Sequence, residues 1–244
     1  MNKKYPQFSL MGYKAILIEF GPEISENILE KVLITKKIIE IYKSKEIVEV
    51  INTYNSLLIT YVSTIGNVYN EFLALKALIS EANIGKNINS KLYHIPVCYE
   101  VEFGLDLNLL ASQNKLTFSE IIQLHTRPVY TVYFIGFLPG FLYLGGLDEK
   151  LIISRRSTPR MKVEKGAVGI GENQTGIYPK SSPGGWQIIG NSPIKFFDKN
   201  GLPPCQISAG DKVKFYSISK QEFLNISDEI SKSEFHLKCE NYAG

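Results

Sequence analysis

The sequence predicts an α+β N-terminal domain, with two helices on an antiparallel sheet, followed by a mainly-β domain that closes as a barrel or a sandwich. Three observations carry this. The first third of the chain alternates short β-rich runs with two segments of helical periodicity. After Arg127, helical periodicity all but disappears until the C-terminal end, and short β runs take over. Gly and Pro clusters separate those runs, as turns of an all-β unit require. The split falls near residue 88, giving domains 1–88 and 89–244.

In the first domain, Tyr13–Phe20 (YKAILIEF) is a strand stopped by Gly21-Pro22. Glu23 to about Lys43 is an amphipathic helix, because Ile24, Ile28, Val32 and Ile39 lie near helical spacing. Ser25 is its N-cap. Ile47–Ile51 and Leu57–Val62 flank Asn52–Ser56, whose turn chemistry predicts a hairpin. Glu71–Ile79 sits in a second helix with stop signals at Asn83 and Gly85. Leu92–Tyr99 is the next strand. The order β-α-β-β-α-β predicts a compact sandwich of two helices on one sheet.

A short helical patch follows in the second domain. Thr117-Phe-Ser-Glu120 is a capping box opening a helix that carries Ile121, Ile122 and Leu124. The β runs are Val129–Ile135, Ala167–Ile170, Trp186–Ile189, Ile194–Phe197 and Lys212–Tyr216. Gln221–Ile230 closes the chain with a helix.

Composition narrows the function. With 44% apolar and 21% charged residues the chain reads as an ordinary soluble protein. A net charge of +3, without a basic run interleaved with aromatics, argues against nucleic acid. Pro6, Lys14 and Glu19 interrupt the N-terminal apolar run. No stretch reaches the ~20 apolar residues that span a bilayer. The expected location is the cytoplasm, which three scattered cysteines also fit. The chain shows no phosphate-binding P-loop and no serine-hydrolase elbow. His94, His125 and His236 are too dispersed for a zinc set, so no metal is expected.

Two stretches suggest a site. In Gly136-Phe-Leu-Pro-Gly-Phe-Leu-Tyr-Leu-Gly-Gly146, Pro139-Gly140 suits the centre of a type II turn. Phe137 is expected in the core, while Phe141 and Tyr143 are candidates to line a cleft. Gly171–Trp186 (GENQTGIYPKSSPGGW) holds the only tryptophan in a backbone stiffened by prolines. Gln174 offers a neutral hydrogen-bonding group. Tyr178 and Trp186 offer flat faces with a polar handle, suited to a small-molecule cleft; Trp186 equally suits a plug at a barrel end. Between the stretches, Arg155-Arg156-Ser-Thr-Pro-Arg160 places planar, permanently charged forks that match a carboxylate or phosphate, or form a solvated loop. His125 is a candidate general base or a helix C-terminal cation.

These same residues carry a family likeness. The Gly136–Gly146 stretch, Arg155-Arg156, Pro159-Arg160, Gln174-Thr-Gly-Ile-Tyr-Pro, Ser182-Pro-Gly-Gly-Trp-Gln-Ile-Ile-Gly and Phe196-Phe-Asp closely resemble the family of the B subunit of prokaryotic 5-oxoprolinase. His94-Ile-Pro-Val-Cys-Tyr and Leu124-His125 also fit. The family is often labelled allophanate hydrolase subunit 1, and it includes the KipI-type histidine-kinase inhibitors. The likeness is dense from about residue 93 to 198.

The resemblance implies a small N-terminal α+β domain and a cyclophilin-like β-barrel. It implies one subunit of a bacterial hydrolase that opens 5-oxoproline to glutamate at the expense of ATP, together with the A and C subunits, and a chain inactive alone. On residue chemistry, Arg156 and Arg160 are the candidates to hold the substrate carboxylate or a phosphate. Gln174 would meet the lactam amide, Tyr178 or Trp186 would cover the ring, and His125 would carry a proton. The alternatives are a KipI-like module that binds a histidine kinase, and urea-related amidolysis. The chain departs from the family pattern at Glu100-Val101, at Leu105 and at Glu172-Asn173, which place bulk and charge at a loop rim.

Overall fold

The computed structural model describes residues 4–81 and 90–242. The chain divides into two compact units, Met1–Ile88 and Asn89–Gly244.

The first unit holds β1 (Gln7–Met11), β2 (Ala15–Glu19), α1 (Glu26–Tyr42), β3 (Ile47–Asn52), β4 (Ser56–Tyr61) and α2 (Val68–Glu81). Its sheet runs β1-β2-β4-β3, antiparallel throughout. Alternation decides which face is covered. Ile16 and Ile18 on β2, and Leu57, Ile59 and Tyr61 on β4, are buried together with Val32 and Ile39 of α1 and Leu75 of α2. Ser25 caps α1 by accepting from the Ile28 amide. Ile24, expected on the helix, precedes the cap and is exposed; Leu29, Thr35 and Ile38 complete the buried stripe.

The composition of this sheet differs from expectation. Gln7–Met11 pairs with β2 as the first strand, whereas Leu92–Tyr99, expected as the last strand of this domain, belongs to the other unit. A five-residue strand interrupted by polar Ser9 has too weak a pattern to read alone. The Asn83 and Gly85 stop signals lie outside the described residues.

The second unit contains β5 (Ser90–Cys98), α3 (Leu107–Asn114), α4 (Phe118–Thr126), β6 (Tyr130–Ile135), β7 (Leu142–Gly145), β8 (Arg160–Val163), β9 (Ala167–Gly171), β10 (Gln174–Ile177), β11 (Ser182–Gly184), β12 (Gln187–Asn191), β13 (Lys212–Ile218), α5 (Lys220–Ser231) and β14 (Cys239–Tyr242). Seven strands close a barrel in the order β12-β9-β10-β7-β6-β13-β5, and Asn191 opposite Cys98 joins the two ends. Among the described strands, only β5 and β13 run parallel. The nine-residue β5 shares one edge between two neighbours: β14 pairs with Ser90–Tyr93 and β12 with Cys98.

The barrel interior is filled by Ile95, Val97, Val132, Leu144, Val168, Ile170, Ile177, Val213 and Phe215, with Leu107, Leu110 and Ile121 of α3 and α4 packed against it. The expected strand at Ile194–Phe197 is instead irregular chain whose Ile194 and Phe196 are buried in this core. Burial of β-rich residues does not require a pairing partner. β8 and β11 form a separate two-stranded ribbon. The Thr117–Glu120 capping box is present, each side chain bonding the other's backbone amide.

Candidate functional site

The site grows from alternation along β10. Thr175 and Ile177 point into the barrel core, so Gly176 and Tyr178 face the other way. On that outer face a second apolar cluster forms from Phe141, Val163, Ala167, Tyr178, Trp186 and Ile188, with Leu138 and Tyr143 against it. Its rings meet edge to face. Phe141 lies 5.1 Å from Tyr178 at 90° and 5.4 Å from Trp186 at 86°. Trp186 needs bare backbone beneath it, because a β-carbon at Gly171 would stand 2.6 Å from the indole.

The Pro139-Gly140 turn is type II in character. Gly140 has φ +86° and the Phe141 amide donates to the Leu138 carbonyl at 3.0 Å. The aromatics around it exchange their expected places. Phe141 is 1% exposed and does not line an open cleft, and Tyr143 is half-buried beside Trp186. Phe137, expected inside, is 61% exposed with φ +65°. A left-handed backbone at Phe137 turns its ring outward, where it meets Phe141 and Tyr178 only edge-on.

The arginines converge beside this cluster on Asp106. Arg160 Nη2 donates to Asp106 Oδ1 at 2.6 Å, and Arg156 Nη1 stands 3.6 Å from the same oxygen. Asp106 Oδ2 accepts from the Ile188 amide at 2.6 Å. The Arg156 amide donates to the Gly185 carbonyl, and Arg160 pairs with Gly184 in the β8–β11 ribbon. The Tyr178 hydroxyl lies against Gly184 and accepts from the Trp186 amide. Burial pushes the Tyr178 phenol up, so it stays protonated, with the Arg155 and Arg160 charges opposing that shift. Arg155 stacks over the Trp186 ring at 5.7 Å.

Arg156, Arg160, Tyr178 and Trp186 are thus brought together. Gln174 lies on the outer face of β10, with its Oε1 withdrawn from solvent and unpartnered. Arg156 Nε and Arg160 Nη1 are likewise withdrawn and unpartnered. Buried donors without acceptors are costly, and here two of them belong to guanidiniums that share one carboxylate. Among the described residues no cluster of His, Cys, Asp and Glu has the makings of a metal site.

His125 is elsewhere. It is fully buried in the barrel core, stacked on Phe215 at 4.6 Å. Its Nδ1 lies 2.7 Å from the Tyr99 hydroxyl and its Nε2 lies 3.0 Å from Thr175 Oγ1. Burial alone pulls its pKa down to about 3. A sealed, neutral imidazole with both nitrogens engaged is built for packing and not for carrying protons to a ligand.

Sequence reasoning missed Asp106 as the partner of the arginines and the buried Gln187 beside Trp186 in the chain. Gln187 donates to the Ser154 carbonyl, while its Oε1 is unpartnered. Fifty-four residues separate Asp106 from Arg160, and no local pattern signals such a pair.

Residues 6–207 match the family model described as carboxyltransferase domain, subdomain C and D. The chain is similar to the 5-oxoprolinase B subunit of Bacillus subtilis, at 37% identity over 94% of this chain and 99% of that protein. It is also similar to the 5-oxoprolinase B subunit of Haemophilus influenzae, at 44% identity over 72% of this chain and 82% of that protein. The crystal structure of the K. lactis urea amidolyase superposes with a TM-score of 0.81 at 23% identity, over 96% of this chain and 16% of that one, which speaks for the fold alone. No helix among the described residues is long and apolar enough to cross a membrane. The chain belongs to the carboxyltransferase-domain family, subdomains C and D, the family that matches the resemblance to the B subunit of 5-oxoprolinase.

Proposed function

We propose that this chain is a subunit of a 5-oxoprolinase and holds the carboxylate of 5-oxoproline while partner subunits supply ATP-dependent activation of the lactam. The relatives named as B subunits of 5-oxoprolinase support the subunit role. The observation that carries the site is the pair of guanidiniums sharing Asp106 Oδ1, with Arg156 Nε and Arg160 Nη1 left as unpartnered donors. Two planar forks suit the two oxygens of a carboxylate. Gln174 Oε1 would accept the lactam N–H, and Tyr178 would donate its phenolic proton, with Trp186 and exposed Phe137 flanking the ring.

The chemistry divides naturally between chains. A five-membered lactam resists water because amide resonance must be broken. Phosphorylation of its oxygen, at the expense of ATP, would make that carbon a better electrophile. This chain's residues bind and orient; none of them is assigned the ATP. His125 drops out as a proton carrier on the geometry above. A kinase-binding role has no specific observation in its favour.

The test is reconstitution with the A and C subunits, ATP and 5-oxoproline, following glutamate release. Arg160→Lys keeps a cation opposite Asp106 but removes the fork, so the fold is retained while KM rises by about tenfold or more. Arg160→Ala is less informative, because it strips a buried carboxylate of its closest cation and costs about 3–5 kcal/mol of stability. Absence of glutamate release from the wild-type mixture, or an unchanged KM in Arg160→Lys, sinks the assignment.

A further inference from the structure

We propose that Asp106 is a positioning residue: it aims Arg156 and Arg160 and sets the charge of their subsite so that one added carboxylate completes it. This rests on the reading that the arginines hold an anionic substrate.

Asp106 is unusually fixed for a carboxylate. Its side chain is 5% exposed. Its backbone amide donates to the Ile188 carbonyl at 2.8 Å, and its Oδ2 accepts from the Ile188 amide at 2.6 Å. It is therefore clamped to β12, which belongs to the rigid wall of the barrel. It also occupies the N-cap position of α3 without capping it: no side-chain bond reaches the first-turn amides. An aspartate there ordinarily turns toward those amides. Here the carboxylate is directed instead at the two arginines.

The charge count follows. One carboxylate faces two guanidiniums, because Oδ1 takes Arg160 Nη2 and faces Arg156 Nη1. Arg155 is occupied with Glu172 at 4.0 Å and with the Trp186 ring. The subsite keeps a surplus of one positive charge, and its unpartnered donors are Arg156 Nε and Arg160 Nη1. A single carboxylate supplies two acceptor oxygens and one negative charge, which completes both accounts. Without Asp106 the guanidiniums would repel each other and lose their common anchor.

The test uses the full chain with ¹⁵N-labelled arginine and reads the Nε–H signals during titration. The ligands are 5-oxoproline, pyrrolidin-2-one (the same lactam without the carboxylate) and acetate. In the wild type, 5-oxoproline and acetate shift the Arg156 and Arg160 signals and pyrrolidin-2-one does not. In Asp106→Asn the Kd for 5-oxoproline rises by about tenfold or more. In the reconstituted complex its KM rises in step while kcat stays within about threefold. If the Asn variant does not fold, Asp106→Ser, which keeps an acceptor for the Ile188 amide, is measured with the same expectations.

A lowered melting temperature with unchanged Kd and KM overturns the proposal, and so does an equal response to pyrrolidin-2-one. If acetate shifts the arginine signals in the wild type but not in the variant, and no glutamate is ever released, Asp106 keeps this role while the 5-oxoprolinase assignment falls.

Discussion

His125 illustrates how a single side chain changes meaning once its surroundings are known. Thr175 Oγ1 donates to the Gly169 carbonyl at 3.0 Å, so it can only accept from His125 Nε2–H. Nδ1 is then bare and accepts the Tyr99 hydroxyl proton. Protonation of Nδ1 would bury a charge in the core and oblige the Tyr99 hydroxyl to turn its proton away from the ring. This agrees with a folded pKa near 3 against 6.5 when unfolded. The sign follows from linkage: below pH 6.5 the unfolded chain binds a proton that the folded chain refuses. Stability owed to His125 is complete above 6.5 and falls by about 1.4 kcal/mol per pH unit down toward 3. Urea melts between pH 7 and pH 4.5 should show this slope in the wild type and a shallower one in His125→Gln. Parallel slopes would mean that His125 titrates normally. The sequence pointed to His125 because an imidazole near a helix end is ambiguous, and only burial separates its readings.

At the scale of elements, local chemistry was the most legible layer. The Ser25 cap, the Thr117–Glu120 box and the Pro139-Gly140 turn are all present, since each depends on a few neighbouring residues. α4 shows what such a signal is worth. Its capping box fixes the start of the helix that delivers Ile121 and His125 to the barrel core. Thr117→Ala should lower stability by about 1 kcal/mol, read as a shift in Tm with no change in the binding of 5-oxoproline. What stayed hidden were the elements without local pattern. β1, β10 and β11 are short, and β10 and β11 carry Gly or Pro inside them. Their glycines serve the rings packed above and so weaken the strand pattern. Phe137 was misplaced because the left-handed backbone that turns it outward leaves no trace in composition.

At the scale of the whole molecule, closure of the barrel rests on how β5 divides its edges. One edge is paired in parallel with β13; the other is shared between β14 and the single Asn191–Cys98 contact. The His94 amide donates to the Lys238 carbonyl at 3.0 Å, just before β14. Removing residues 238–244 should therefore leave the β12–β9 pairing protected while the His94 amide exchanges faster with solvent, as measured by hydrogen exchange. Loss of protection across β12 as well would show that β14 holds the closure. The candidate site depends on this architecture, since Asp106 is tied to β12 while Arg156 and Arg160 reach it from the chain around the β8–β11 ribbon.

By itself the sequence determined the two-part organisation, the helix caps, the turn chemistry and the family, because these rest on neighbouring residues and on ordered motifs. Only the tertiary structure decided that His125 is core, that Phe137 and Phe141 exchange places, and that Asp106 holds the arginines. The reason is physical: charge pairing and burial are set by distance in space, and residues 106 and 160, far apart in the chain, are neighbours only in the folded unit.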